Sequence, residues 1–349
     1  MFFAKLASTL LLIVSTLVNS VVPLFASNIV TENFHFDNWS ANDTYSIEEY
    51  TVLEKNPGED FKVLLISDLQ QMSAETVFGA RFAAEAMINE LVKRTEPDLI
   101  VSLGDNAVGM FAYEWFISYL DSLEIPWAAV MGNHDWELIP NEGWAAYKMK
   151  NSENGLFRFG PAGMGYGNYP VHISQNGEII HSLYLMDTHS SIYRFEGIKL
   201  IDEYDGLWNK QLEWYKWNVN GTNNLEGRIV ESSLLMHIPL PEYADAYAQI
   251  ESDSTAFGEK GEEICCSANN KGMFSLMKEL GSTKNVVCGH DHKNNFSTNY
   301  DGIRLSYVTK TGECSSYVRE RIGGSLLTIN SNGNASLSHI IVNPDELVY

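Results

Sequence analysis

Three apolar runs, Val63–Ile66, Leu99–Leu103 and Trp127–Met131, each end in a short polar block: Ser67-Asp68-Leu69-Gln70, Gly104-Asp105-Asn106 and Gly132-Asn133-His134-Asp135. Segments of helical period lie between them. In the first, Ala80, Ala84, Met87 and Leu91 recur on one face as far as Lys93, with Ser73 as the expected cap and Glu75 in the first turn; the second is Phe111–Leu123. A β-α-β-α-β order makes the three strands parallel neighbours joined by right-handed crossovers. The carboxyl ends of such strands form the sheet edge at which α/β folds bind ligands, so the three blocks converge in space.

Two later blocks repeat the pattern. Met236-His237-Ile238-Pro239 closes an expected strand Ile229–Met236, and Gly289-His290-Asp291-His292 follows Val286–Cys288, with a helix Met273–Leu280 between them. Ser325–Asn330 and Ala335–Val342, about the turn Ser331-Asn332-Gly333, form a hairpin by alternation and turn chemistry. Residues 140–228 are less periodic. Their glycine-rich stretch Gly160–Gly167 and the cluster Tyr204, Trp208, Trp214, Tyr215 and Trp217 suit either a cleft wall or, more commonly for aromatics, core packing.

At 349 residues, 45% hydrophobic and 19% charged, the chain can build one large domain, expected over residues 61–349, with residues 28–60 as a surface extension. Its 45 acidic and 23 basic residues give a net charge of -22, which argues against duplex nucleic acid as a partner. A phosphate substrate remains compatible where metal ions supply local positive charge. Residues 1–27 read as a cleaved secretory signal: Lys5 is the lone charge, Leu6–Val18 is apolar, and Ser20, Ala26 and Ser27 offer cleavage points. The expected location is extracellular or an endomembrane, lysosome-like compartment, with no stable membrane span left after cleavage. An uncleaved anchor over Leu6–Phe25 is the alternative. Sequons at Asn38, Asn42, Asn220, Asn295 and Asn334 suit a surface glycoprotein, and Cys265, Cys266, Cys288 and Cys314 are expected as disulfides or inert thiols.

The five blocks together hold enough oxygen and imidazole donors for a pair of metal ions. Two cations held close together polarise a phosphate ester and stabilise both attacking and leaving oxygens, so phosphoester hydrolysis is the chemistry they point to. Asp105, after the small Gly104, is the natural bridging carboxylate. Asn133, His237 and His290 complete one ion, and Asp68 and His292 serve the other; such mixed nitrogen and oxygen sets suit zinc, iron or manganese without selecting one. His134 is free to face substrate and protonate a leaving alkoxide as general acid.

The blocks resemble the signature of the calcineurin-like metallophosphoesterase superfamily: Asp-X-His, Gly-Asp, Gly-Asn-His-Asp/Glu, a histidine, then Gly-His-X-His. Leu185-Met186-Asp187-Thr188-His189-Ser190, Gln211-Leu212-Glu213-Trp214 and His237-Ile238-Pro239-Leu240 are similar to its purple acid phosphatase-like branch, which includes the yeast Dcr2 phosphatase. Over roughly residues 60–340 the resemblance implies a four-layer αββα sandwich with two mixed β-sheets and a dinuclear centre. It implies Asp68, Asp105 and His292 at one metal, Asp105, Asn133, His237 and His290 at the other, His134 as leaving-group acid, and direct attack of a metal-bridging hydroxide on phosphorus without a phosphoenzyme. Where that signature has its first histidine this chain has Gln70, and where purple phosphatases proper have a tyrosine it has Val108. An amide oxygen is the poorer ligand for zinc or iron, so the first site is expected to be weak, or tolerant of manganese or magnesium.

Asn106, Asp187, His189 and Asp291 are candidate supports behind the ligands. The expected activity is phosphomonoester hydrolysis on a phosphorylated small molecule or a phosphoprotein. A phosphodiesterase with the same centre, or a catalytically weak surface protein that kept the fold, are the alternatives.

Overall fold

The computed structural model describes residues 36–73, 81–196 and 199–347; the expected signal or anchor, and the helix positions Glu75 and Ala80, lie outside the described residues. Among the described residues no helix is long and apolar enough to cross a membrane. In chain order the first half contains β1 (Thr51–Glu54), β2 (Phe61–Ile66), β3 (Gln71–Met72), α1 (Arg81–Thr95), β4 (Leu99–Leu103), β5 (Ala107–Val108), α2 (Met110–Ser122), β6 (Trp127–Val130) and α3 (Glu142–Lys150). The second half contains β7 (Tyr169–Gln175), β8 (Glu178–Leu185), β9 (Ser191–Glu196), β10 (Lys199–Tyr204), α4 (Asn209–Glu226), β11 (Glu231–Leu235), α5 (Glu242–Ala248), α6 (Met273–Leu280), β12 (Thr283–Cys288), β13 (Ser297–Tyr300), β14 (Ile303–Tyr307), β15 (Gly323–Ile329) and β16 (Ala335–Ile341).

A five-stranded sheet runs β16-β15-β2-β4-β6, and a seven-stranded sheet runs β1-β7-β8-β11-β12-β14-β13. Both are mixed. In the first, β2, β4 and β6 are parallel, as their sequence spacing requires, while β15 and β16 form the expected hairpin and join β2 antiparallel. In the second, β8, β11, β12 and β14 are parallel. Strands covered on both faces read as unbroken apolar runs, which is why β4 (Leu-Ile-Val-Ser-Leu) is buried at every position. Val101, Leu327, Val171, Leu185 and Leu235 from both sheets share one core with Met87, Leu91, Phe116 and Trp144 of α1–α3. A second core holds Trp214, Tyr215, Met236, Tyr243, Met277 and Leu305, where α4–α6 cover the larger sheet. The result is the four-layer αββα sandwich.

Several expectations change. Part of the 28–60 extension is not a surface wrap: β1 pairs in parallel with β7 and forms an edge of the larger sheet. The strand before His237 stops at Leu235. Trp214 and Tyr215 are core residues, the packing role expected of most aromatics. Within the less periodic stretch, β7 and β8 form a hairpin about Asn176-Gly177, whose φ angles of 54° and 80° fit the turn type this dipeptide favours. None of the four cysteines forms a disulfide, and Cys288 is buried. Asn295 is buried and its side-chain oxygen accepts the Glu259 N–H, whereas Asn38, Asn42, Asn220 and Asn334 are exposed.

The first turn of the helix that Ser73 was expected to cap lies outside the described residues; among those described, its hydroxyl bonds to the start of α2. Gly109 precedes α2 and has no side chain to bond the helix's free N–H groups, and the Ser73 hydroxyl takes that role, accepting from Ala112 N–H at 3.2 Å and donating to Val108 O at 3.2 Å. A Cβ on Gly109 would lie 2.5 Å from that hydroxyl, so glycine and serine fit only as a pair. Ser73→Ala should destabilise the fold by about 1 kcal/mol, as loss of a helix cap does. A urea midpoint unchanged from wild type would show that the bond is dispensable.

Candidate metal centre

The loops that follow β2 and β4 are joined by backbone. Asp68 N–H donates to Gly104 O at 3.1 Å and Gln70 N–H to Asp105 O at 2.9 Å, and the short ladder of β3 with β5 continues the pairing. Asp68, Asp105, Gln70 and His290 all adopt positive φ, at 56°, 51°, 45° and 77°. Such backbone is unfavourable for non-glycine residues and is retained where surrounding contacts impose it. Here the contacts are close. A Cβ on Gly104 would sit 2.6 Å from the His237 ring, one on Gly132 would sit 2.4 Å from the Asp105 carboxylate, and one on Gly289 would sit 2.0 Å from the Ser67 hydroxyl.

Asp68, Asp105 and His292 each bring a ligand atom within 4.8 Å of the others. The imidazoles are oriented from behind. His237 Nδ1–H donates to Leu103 O at 2.7 Å, and His292 Nδ1–H donates to Ser316 O at 2.9 Å. A carbonyl only accepts, so both rings carry the proton on Nδ1 and turn Nε2 inward, a common way of presenting histidine to a metal. His237 Nε2 then lies 3.0 Å from Asn133 Oδ1 and 3.4 Å from Asp105 Oδ1, and His292 Nε2 lies 3.4 Å from Asp68 Oδ1. Each is a meeting of acceptors that needs a positive charge between them.

The electrostatics agree. Burial favours a neutral Asp68, but the His292 contact and the nearby His237 and His292 charges outweigh it and hold its pKa below the ordinary carboxylate range. Asp105 is likewise held low, against burial, by His237 and His134. Burial opposes a charged His237, yet Asp105 and Asp68 raise its pKa to about 10, so without metal it keeps a proton where a cation is wanted. Burial, aided by the His237 charge, drops His290 to about 3, leaving it the neutral imidazole a metal requires. Its Nε2 is buried with no hydrogen-bond partner, and so are Asp68 Oδ1 and Gln70 Oε1. Orphaned buried acceptors are costly. Metal ions would satisfy them, and the residues present fit such ions.

Gln70 Nε2 donates to Asp105 Oδ2 at 2.7 Å, so this side chain supports a metal carboxylate while its own oxygen stays unpartnered. His134 N–H donates to Asp105 Oδ1 at 2.9 Å. The His134 side chain lines a 260 Å³ cleft with Gln70, Met72, Val108, Glu137, Cys314 and Ser315. Asn106 stands behind Asp105, with its backbone and side-chain N–H groups bonded to Asp135 at 2.8 Å. Asp187 instead secures the glycine-rich loop, accepting from Tyr166 N–H at 2.9 Å, and His189 stacks on Trp208, just before α4, at 3.9 Å. Asp291 accepts from the Tyr307 hydroxyl at 2.5 Å and from Cys265 N–H, away from the ligands.

Two further groups support the site, one inside the third polar block and one with no sequence signal. Asp135 closes the third block and accepts from Gly132 N–H at 2.7 Å as well as from Asn106; burial and the Asp105 charge raise its pKa to about 6. Lys310 is buried beneath the site, and its Nζ donates to the Asp68 carbonyl oxygen. Both follow from the folded register of distant loops.

Known proteins are similar to this chain. Probable inactive purple acid phosphatase 14 of Arabidopsis thaliana is 28% identical over 303 residues, covering 74% of this chain and 72% of that protein. Phosphatase DCR2 of Saccharomyces cerevisiae is 29% identical over 241 residues, covering 61% of this chain and 39% of that protein. Among solved structures, a dimetal phosphatase from Danio rerio aligns with a TM-score of 0.48 at 14% identity, over 76% of this chain and 92% of that one. The calcineurin-like phosphoesterase family matches residues 61–294, which take in all five polar blocks, and the chain belongs to that family.

Proposed function

We propose that this metal-dependent phosphoester hydrolase acts on phosphomonoesters, with water attacking phosphorus directly and His134 protonating the departing oxygen. The observation that carries this reading is the convergence of the buried Asp68 and Asp105 with the part-buried His292 beside orphaned acceptors, next to the cleft that His134 lines. Ions bound there supply the positive charge that polarises the phosphoryl group. Asp68, Asp105 and His292 would hold one, and Asp105, Asn133, His237 and His290 the other, with zinc, iron, manganese and magnesium as candidates. The protein's own groups orient these ligands, exclude water beneath them and hold a proton at the cleft. The proposed compartment is extracellular or endomembrane, supported by the composition of residues 1–27.

A second reading, a catalytically weak protein that kept the frame, is favoured by Gln70 and by relatives whose names call them probable inactive. Metal content with paired assays on aryl phosphate mono- and diesters separates the readings. Two retained ions with faster monoester cleavage support the proposal, faster diester cleavage shifts it to a phosphodiesterase, and one or no ion without hydrolysis supports the weak scaffold.

Asp105→Ala should release both ions, whereas His292→Ala should weaken the first site and His290→Ala the second, read by metal analysis after dialysis. Retention of one ion with appreciable turnover in Asp105→Ala would remove the bridging role. His134→Ala should keep its metal and lose roughly 10²- to 10⁴-fold in turnover, the usual contribution of a general acid. That loss should shrink for good leaving groups; equal losses for aryl and alkyl phosphates would contradict the role. Gln70→His should tighten the first ion and raise activity at limiting metal, most clearly near neutral pH where imidazole is unprotonated. If wild type already keeps two ions through dialysis and Gln70→His is slower, the glutamine is a working part of the site.

A further inference from the structure

Asp68 and His292, the ligands that only one of the two ions would use, are both held by the short segment after β14, residues 310–316. Lys310 is 2% exposed, and its ammonium donates to the Asp68 carbonyl oxygen. At the next residue the contact is reciprocal: Thr311 N–H donates to Ser67 O at 2.9 Å, and the Thr311 hydroxyl accepts from Ser67 N–H at 3.2 Å. That hydroxyl donates in turn to Gly323 O at 2.7 Å, and Gly323 N–H returns to Lys310 O at 2.9 Å. At the far end, His292 Nδ1–H is received by Ser316 O at 2.9 Å, with the Ser316 hydroxyl 3.0 Å from the same nitrogen.

These bonds fall on one metal position. Among the described residues, no hydrogen bond to Asp105, Asn133, His237 or His290 comes from this segment; the His237 ring, for example, is oriented by Leu103 O. The segment is anchored in both sheets, since β14 belongs to the larger one and Gly323 opens β15 in the smaller. Burying an ammonium is costly unless it is bonded. The bond that Lys310 makes reaches the backbone of a residue with a φ of 56°, a conformation that persists only where outside contacts impose it. With Gln70 standing where the family signature has an imidazole, an ion at this position depends on how accurately its remaining donors are aimed.

We propose that residues 310–316 are the positioning element of the Asp68–His292 ion alone: Lys310 and Thr311 fix the backbone that carries Asp68, and Ser316 fixes the His292 ring. The segment sets the affinity of one metal site and leaves the other untouched. The inference rests on the proposed assignment of ligands to two ions. Lys310, Thr311 and Ser316 act through Asp68 and His292. Cys314 and Ser315, between them in sequence, line the cleft beside His134, so the support of the ligands continues into the cleft wall.

The test strips the full chain of metal, titrates it with zinc and reads two binding steps by calorimetry, with His292→Ala and His290→Ala showing which step belongs to which site. Thr311→Val keeps the charge and loses the hydroxyl; it should weaken the Asp68–His292 step about 10-fold in Kd, the net worth of one or two hydrogen bonds. Lys310→Met should weaken it roughly 10- to 100-fold, as removing a residue that orients a metal ligand does. The other step should be unchanged in both. Thr309→Val, at a neighbouring hydroxyl that is buried without a partner, should match wild type at both steps. Equal weakening of the two steps, or none, overturns the proposal. So does a tighter ion in Lys310→Met, which would make the ammonium's charge rather than its bond the controlling quantity. Should Lys310→Met fail to fold, Thr311→Val against Thr311→Ser, which keeps the hydroxyl, carries the decision. In the metal-free chain, hydrogen exchange of the Asp68 amide should be faster in Thr311→Val than in wild type or Thr309→Val, and equal rates count against the clamp. A chain that binds both ions and hydrolyses no ester sinks the hydrolase reading alone. One that binds neither ion sinks the metal centre, and the exchange arm still decides the hold on Asp68.

Discussion

Two carboxylates, Asp68 and Asp105, are buried side by side, with 2% and 1% of their surface exposed. Ions removed from water carry a penalty of several kcal/mol each unless partners compensate it. The compensation comes from every direction: the Ser67 hydroxyl and His290 N–H on Asp68, the Gln70 amide and His134 N–H on Asp105, and the raised proton affinity of His237 between them. What these contacts leave unsatisfied is a set of acceptors facing one another. The site is built to want cations.

The frame that imposes this arrangement is made of short-range sterics more than of metal bonds. Gly104 admits the His237 ring, Gly132 admits Asp105, and Gly289 admits Ser67, so each polar block leaves room for a residue of another. The β3–β5 ladder and the backbone bonds between the Asp68 and Asp105 loops add a rigid connection. Ser73 carries it on to the N-terminus of α2, and Gly109 carries it to the turn that holds Glu137. The candidate ligands and His134 thus share one connected backbone.

The parts of this design that announce themselves in sequence are those with a local signature. Apolar runs followed by Gly-Asp, Gly-Asn-His or Gly-His blocks mark strand ends because a strand buried on both faces leaves no alternation to misread. Lys310 has no such signature: it is an ordinary lysine after β14, and only tertiary contact brings it to the Asp68 carbonyl. β1 shows only four residues of alternating burial, too short to separate from coil by pattern. Within residues 140–228, Asn176-Gly177 turns a hairpin between β7 and β8, a two-residue signal that its aperiodic surroundings obscure. Ser73 looks like a cap in sequence, and among the described residues its hydroxyl serves the start of α2, a partner that only the fold brings close.

Because the frame is held by glycine clearances and main-chain bonds, losing one ligand does not dismantle it. Gln70 shows this directly: it stands where the family signature has an imidazole, yet its backbone still pairs with Asp105 and its amide still bonds the carboxylate. A lineage can therefore exchange or abandon ligands one at a time while selection for folding preserves the surrounding motif. In this chain the motif is in part a record of packing. Turnover is decided by the few atoms that face inward from it.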